Sequence, residues 1–171
     1  MLRLLFLLPL AAVLQSQTPQ YAGKAVLKSP GNYRDWYFVG SNLGISYSEN
    51  AGKENFFKNI YIPKAAAAAF KKSGVFPEKT MLVMELYKPA SDASPAKQGQ
   101  FEDKFVGIEV AVKDTDAVAE GWAYYNFIGE TGQRKTTAKA FGKQACWNCH
   151  REHGAKDNVF VQFYPRLRDK D

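Results

Sequence analysis

The two cysteines of this chain fall in one pentapeptide, Cys146-Trp147-Asn148-Cys149-His150. Cys-x-x-Cys-His is the attachment sequence of a c-type haem. Each thiol adds across one vinyl group of the porphyrin. The histidine that follows is placed by the same short turn to bind the iron. The two residues between the thiols span the distance between neighbouring vinyls. The competing readings are a redox Cys-x-x-Cys, half of a zinc site, and chance. A zinc site needs more ligands, and the only other histidine is His153. A thioredoxin-like pair sits on a strand-to-helix turn early in its domain and needs no histidine here. One covalent haem c on Cys146 and Cys149, with His150 as axial iron ligand, is the expectation. With both thiols committed, no disulfide can form within the chain.

The N-terminus agrees with that chemistry. Met1-Leu2-Arg3 is a short basic start, residues 4–14 are an apolar run of 11, and Gln15-Ser16-Gln17 turns polar. Such a run is below the ~20 residues a membrane-spanning helix needs and suits the core of a signal peptide. Ser16 suits the position before the cut, whereas Leu14 is a poor partner two residues earlier. An uncleaved anchor is the alternative. Residues 1–16 are therefore expected to be a signal peptide, and residues 17–171 a single haem-binding domain in the periplasm or otherwise exported. C-type haem is attached on the far side of the cytoplasmic membrane, so the two signals are consistent.

About 155 residues would then remain, enough for one domain with a real core. The net charge is +6, and residues 1–16 contribute Arg3 alone, leaving +5. The lysines are scattered and form no dense tract, so a solvated basic surface is preferred over a nucleic-acid site.

The segments ahead of the motif read mostly as strands. Residues 17–31 hold two prolines and read as an irregular lead-in. Residues 32–42 (NYRDWYFVGSN) are a strand, or a short helix running into one. Residues 56–62, 80–87, 105–112 and 122–128 are further strands. Residues 63–74 (PKAAAAAFKKSG) are the clearest helix: proline at its start, alanines inside, lysines near its C-terminus and glycine after it. Residues 89–100 read as a mobile loop and 129–135 as a turn. Residues 136–151 carry a helix or tight turns ending in the haem motif, and 159–164 are extended or helical. Small c-type cytochromes are usually all-helical. This chain instead implies a haem held on a β-rich domain, with the attachment point near the C-terminus.

Several segments together resemble the cytochrome P460 family. They are Tyr33-Arg34-Asp35-Trp36 with Val39-Gly40, the strand Thr80-Met81-Leu82-Val83-Met84-Glu85-Leu86, and Gly121-Trp122-Ala123-Tyr124-Tyr125. The haem motif followed by Asp157, Val159-Phe160-Val161 and Tyr164-Pro165 completes the set. The resemblance covers nearly the whole of residues 17–171. It implies an α+β fold, mainly antiparallel sheet with a few helices. It also implies a homodimer and one c-type haem with a histidine on one face only. Two branches are known. Cytochromes P460 oxidise hydroxylamine and carry a lysine bonded to the porphyrin edge. Cytochromes c′-β lack that bond, have an apolar distal pocket, and bind nitric oxide and other diatomic gases.

The departure from the first branch is Met84, which stands where the cross-linking lysine should be. A thioether cannot form an amine–porphyrin bond. Lys79 and Lys88 are the nearest alternatives, and Lys88, on the same strand face as Met84, is displaced by ~13 Å along the strand. The resemblance also implies a distal carboxylate in the hydroxylamine-oxidising members. By spacing from the haem motif its position falls near Phe141, where there is no acid; Glu130 and Glu152 are close in sequence but do not align with it. Met84 has three readings: a core methionine at the haem edge, an axial ligand of a six-coordinate electron-transfer haem, or a sulfonium link. Phe38, Phe56, Phe57 and Phe141 are candidate pocket aromatics, with ordinary core packing as the alternative. His153 is expected at the surface. Asp157 either orients the haem loop or is a plain turn residue.

The expected function is that of an exported mono-haem protein, five-coordinate on His150, binding a small ligand such as nitric oxide. One alternative is hydroxylamine oxidation with electrons passed to a redox-partner cytochrome; another is a Met/His-ligated electron carrier. Enzymatic activity stays open because Met84 replaces the lysine. If the haem reading holds, protein matured with haem-attachment machinery exceeds its polypeptide mass by one haem, and acid–acetone does not extract the colour. Freely extractable haem would sink it.

Overall fold

The computed structural model describes residues 17–46, 55–130 and 132–168. The expected signal peptide lies outside the described residues. The architecture is α+β, and the described residues form two antiparallel sheets and three α-helices.

The main sheet has five strands in sequential order: β3 (Tyr37–Leu43), β4 (Phe57–Ile62), β5 (Met81–Ala90), β6 (Phe101–Lys113) and β7 (Trp122–Asn126). Consecutive strands pair, as hairpin connections favour. A smaller sheet joins β1 (Tyr21–Gly23), β2 (Val26–Lys28) and β8 (Thr137–Lys139). The lead-in expected to be irregular therefore carries two short strands. Their pairing is non-local: Val26 to Lys28 run against Lys139 to Thr137, and no local pattern announces such a partner. A 3₁₀ turn over Tyr33–Asp35 precedes β3, which is the short helix running into a strand. The strand β5 runs on through Pro89, where the register with β6 shifts; a proline is tolerated at such an irregularity.

Helix α1 (Lys64–Ser73) follows β4 directly. Gly74 caps it in the left-handed conformation, φ +75°, donating its N–H to the Phe70 carbonyl at 2.7 Å. This is the glycine-terminated ending that the sequence suggests. Helix α2 (Trp147–His153) carries the haem motif, and α3 (Pro165–Arg168) closes the described chain.

Alternation along the strands gives the main sheet two apolar faces. One packs Ile60, Leu82, Trp122 and Tyr124 against α1, α3 and the motif segment. There Phe70 stacks on Phe76 with centroids 4.0 Å apart, and Phe76 meets Trp122 edge-on at 5.8 Å. Each such pair contributes roughly 0.5–1.5 kcal/mol beyond its buried area. The other face packs Val83, Ile108, Val110 and Tyr125 against Leu27, Tyr33 and Trp36.

That second face buries a carboxylate. Glu85 is 2% exposed. Its Oε1 accepts from Tyr33 Oη and from Arg34 Nε, both at 2.7 Å. A buried charge of this kind is tolerable only when so satisfied. The Tyr-Arg element thus serves structure on the side of the sheet away from the motif. Tyr33→Phe removes one bond to a charged, buried acceptor and is expected to destabilise the protein by roughly 1.5–3 kcal/mol in denaturant titration. A change under a few tenths would mean the carboxylate is held by its other donors, Arg34 and Tyr61.

Candidate functional site

The motif helix starts at Cys146 and ends at Gly154, whose N–H donates to the His150 carbonyl at 2.9 Å. A Cβ on Gly154 would lie 2.5 Å from that carbonyl oxygen and 2.8 Å from Val159 N. Only glycine lets the chain fold back this tightly onto the helix. The return passes through Asp157 and Asn158, both left-handed at φ 47° and 58°, a conformation that Asp and Asn tolerate better than most residues.

Asp157 holds this turn to the sheet. Its Oδ2 accepts from Phe76 N at 2.9 Å and Lys113 Nζ at 2.7 Å, and its Oδ1 accepts from Trp122 Nε1 at 3.3 Å. The next carbonyl, of Asn158, lies 3.0 Å from His150 Nδ1. A carbonyl only accepts, so Nδ1 carries the proton and Nε2 presents its lone pair. Tyr124 Oη also donates to this carbonyl, at 3.3 Å. The imidazole is wedged between the rings of Tyr124 and Phe160, with centroids at 4.3 and 4.4 Å. Burial pushes its pKa down, against the Asn158 hydrogen bond that raises it. An oriented neutral imidazole is the form that binds a metal. Asp157 therefore does more than form a turn: it anchors the residue that orients His150.

His150 and Cys146 line a cavity of about 350 Å³ between α2 and the main sheet. Both cysteines are free thiols and partly buried. The free thiol pair, the fixed imidazole and an adjoining largely apolar cavity fit a covalently attached haem. Cys146 and Cys149 would hold it, and Nε2 of His150 would bind the iron.

The opposite wall is the sheet. Met84 lines the cavity there and packs against the surrounding core. Ile60 and Glu109 are its cross-strand neighbours in β4 and β6. Phe141 lines the cavity too, at 46% exposure. Phe38 and Phe57 do not. Phe38 pairs with Tyr61, their rings 5.7 Å apart. Phe57 and Tyr61 alternate with Ile60 along β4, so they lie on the other face of the sheet. His153 is exposed and turned to Glu152, 3.9 Å away. Lys79 is engaged by Asp114 and, at 2.8 Å, by Asp116. Lys88 is exposed in the hairpin opposite Lys104.

Glu109 corrects the expectation that no acid reaches this pocket. Spacing from the haem motif cannot find it, because it arrives through the β5–β6 register. The available signal was a lone acid in the apolar strand FVGIEVAV. Its Oε1 accepts from Asn126 Nδ2 at 3.2 Å. Burial pushes its pKa up, opposed by the Lys58 charge and the Asn126 bond. Burial in turn lowers the Lys58 pKa, and its Nζ donates to the Ile45 carbonyl at 2.6 Å.

A raised carboxyl pKa means the wild type is fully stable below the ordinary glutamate range and loses stability as pH rises through the folded value. Glu109→Gln keeps an acceptor for Asn126 without the charge. Denaturation of the variant against wild type is expected to show a gain at pH 7–8 that vanishes near pH 4. A gain independent of pH would remove the carboxylate from this role.

A family model described as Cytochrome P460 matches residues 30–161. No curated protein matches the chain significantly.

Proposed function

The chain belongs to the cytochrome P460 family, and from that membership we propose an exported mono-haem c protein that binds a small neutral ligand such as nitric oxide at its iron. When bound, the haem supplies an iron able to take a diatomic ligand and to change oxidation state. The reading rests on one observation: a single imidazole, His150, faces the cavity with Nδ1 consumed by the Asn158 carbonyl. Of the chain's two histidines the other is exposed. One protein ligand then leaves a coordination position for a small molecule. Met84, on the cavity wall, would be a soft, adaptable packing group beside a bound haem. The walls of Ile60, Leu82, Ala111 and Val159 favour neutral over ionic ligands. No helix among the described residues is long and apolar enough to cross a membrane. Export is inferred from residues 1–16 and from the compartment where c-type haem is attached. A homodimer and a partner cytochrome belong to the same proposal.

Glu109 favours a second reading. A carboxyl group on the cavity wall, its pKa pushed up by burial, is the type of group that accepts a proton from a bound substrate in general-base catalysis. Hydroxylamine oxidation needs such an acceptor. Met84 argues against it, because no amine on that strand position is available for the porphyrin bond.

Absorption spectra separate the readings. The ferrous protein is expected to be high-spin and five-coordinate, and to bind carbon monoxide and nitric oxide. A low-spin ferrous spectrum that turns high-spin in Met84→Ala would establish methionine ligation and an electron carrier. Multi-turnover hydroxylamine oxidation that is lost in Glu109→Gln would promote the second reading. A haem peptide carrying residues 80–88 after trypsin would contradict the reading of Met84 as a packing group.

A further inference from the structure

The net charge of the chain is concentrated in the stretch of sequence that contains the haem motif. Residues 132–156 hold six basic residues and one acidic, which is +5 of the chain's +6. All other residues are balanced, 17 basic against 16 acidic. Spaced out in sequence, these cations look like an ordinary solvated surface. The fold brings two of them onto the haem motif itself. Lys143 Nζ lies 4.6 Å and the Arg151 guanidinium 5.0 Å from the centroid of Trp147. Both cations are exposed and the indole is half-buried. Trp147 Nε1 donates to the Glu120 carbonyl at 3.1 Å, which fixes the ring against the body of the domain. The nearby carboxylates are Glu120, 3.8 Å from Lys143, and Glu152 beside His153. Arg168 is linked through Gln162 to the opposite, C-terminal end of α2. It donates to the Gln162 carbonyl at 3.2 Å, and the Gln162 amide holds the His153 carbonyl at 2.9 Å.

We propose that this face, with Trp147 at its centre and Lys143 and Arg151 at its edge, is the docking surface for an acidic one-electron carrier protein. Complementary charge raises encounter rates by 10–10³ at low salt. Tryptophan and arginine are the residues that most often carry interface energy. A ring already fixed by Glu120 costs little ordering entropy on binding. Trp147 also adjoins Cys146 in sequence and is two residues from Cys149, so a partner touching the indole is close to both thioether positions. The partner's reduced centre gives up one electron, and ferric iron becomes ferrous; no proton or further reactant is needed. An anionic lipid surface would draw on exposed apolar side chains. Among the described residues the large ones are Leu43, Val75, Phe101 and Phe141, none of them on α2.

The inference rests on haem attachment at Cys146 and Cys149, and its test separates the two. The haem-loaded protein is titrated calorimetrically with an acidic plant-type ferredoxin as probe. Wild type is expected to bind at about 20 mM salt and to weaken ~10-fold by about 200 mM, as screening demands. Lys143→Glu/Arg151→Glu should weaken binding at least ~10-fold at low salt. Lys97→Glu/Lys104→Glu, with the same change of net charge on the β5–β6 hairpin, should weaken it less than ~3-fold. Rates of haem reduction by reduced ferredoxin should rank the same way. Equal losses from both double variants would reduce the effect to net charge and overturn the proposal. So would wild type that ignores ferredoxin but sediments with phosphatidylserine vesicles, which would assign the face to a membrane. Covalent haem and an unchanged spectrum in both variants show that attachment is intact; free haem in wild type would instead be failure of the attachment reading.

Discussion

The hydrogen bond from His150 Nδ1 to the Asn158 carbonyl is the constraint around which the motif end of the domain is arranged. To supply that carbonyl the chain must reverse within four residues of the helix end. Gly154 makes the reversal sterically possible, and two left-handed residues complete it. Left alone, such a turn would be costly, since non-glycine residues avoid positive φ. Asp157 offsets the cost with three hydrogen bonds, one to a lysine of β6 and one to the indole of β7. The sheet therefore reaches the imidazole through the turn. The sheet also touches His150 directly through the ring of Tyr124 in β7, and Phe160 closes on the other side from the segment after the turn.

What the sequence made legible and what it hid divide along the range of the interactions. The pentapeptide is a local code, so Cys146, Cys149 and His150 could be read directly. Helix α1 was legible for the same reason: proline, alanines, lysines and Gly74 are all local signals. Alternation gave the strands of the main sheet, though not their ends. The pairing of β2 with β8 joins segments more than 100 residues apart, and nothing local encodes it. Placing Phe38 and Phe57 near the pocket failed because an aromatic in a strand faces one side or the other according to register. Here register and the bulge between Phe38 and Gly40 send both away from the cavity. Glu109 was missed by the same logic in reverse: the register between β5 and β6 sets it beside Met84.

The two polar clusters on the main sheet show how differently a buried and a half-buried carboxyl are handled. Glu85 is surrounded by donors from Tyr33 and Arg34 and is part of the scaffold. Glu109 has one amide donor and a more distant lysine, and its pKa is pushed up. Any purely structural need at that position would be met by an apolar residue continuing the strand. Perturbed acids concentrate where chemistry happens, and this one lines the cavity opposite the motif helix.

Met84 and Glu109 are adjacent across two strands, and their joint effect decides between the readings of the site. A thioether at position 84 could not form an amine–porphyrin bond with a haem held there, while the carboxyl of Glu109 beside it would add proton-accepting capacity to the cavity wall. The two residues pull in opposite directions: Met84 cannot supply the ring modification that the hydroxylamine-oxidising branch relies on, while Glu109 places a carboxyl on the cavity wall. Binding a ligand at iron and removing its protons are separate requirements. On the proposed reading the pocket meets the first through His150. Glu109 is then left to tune the polarity seen by the bound ligand, with Asn126 and Lys58 setting how much negative charge that wall carries.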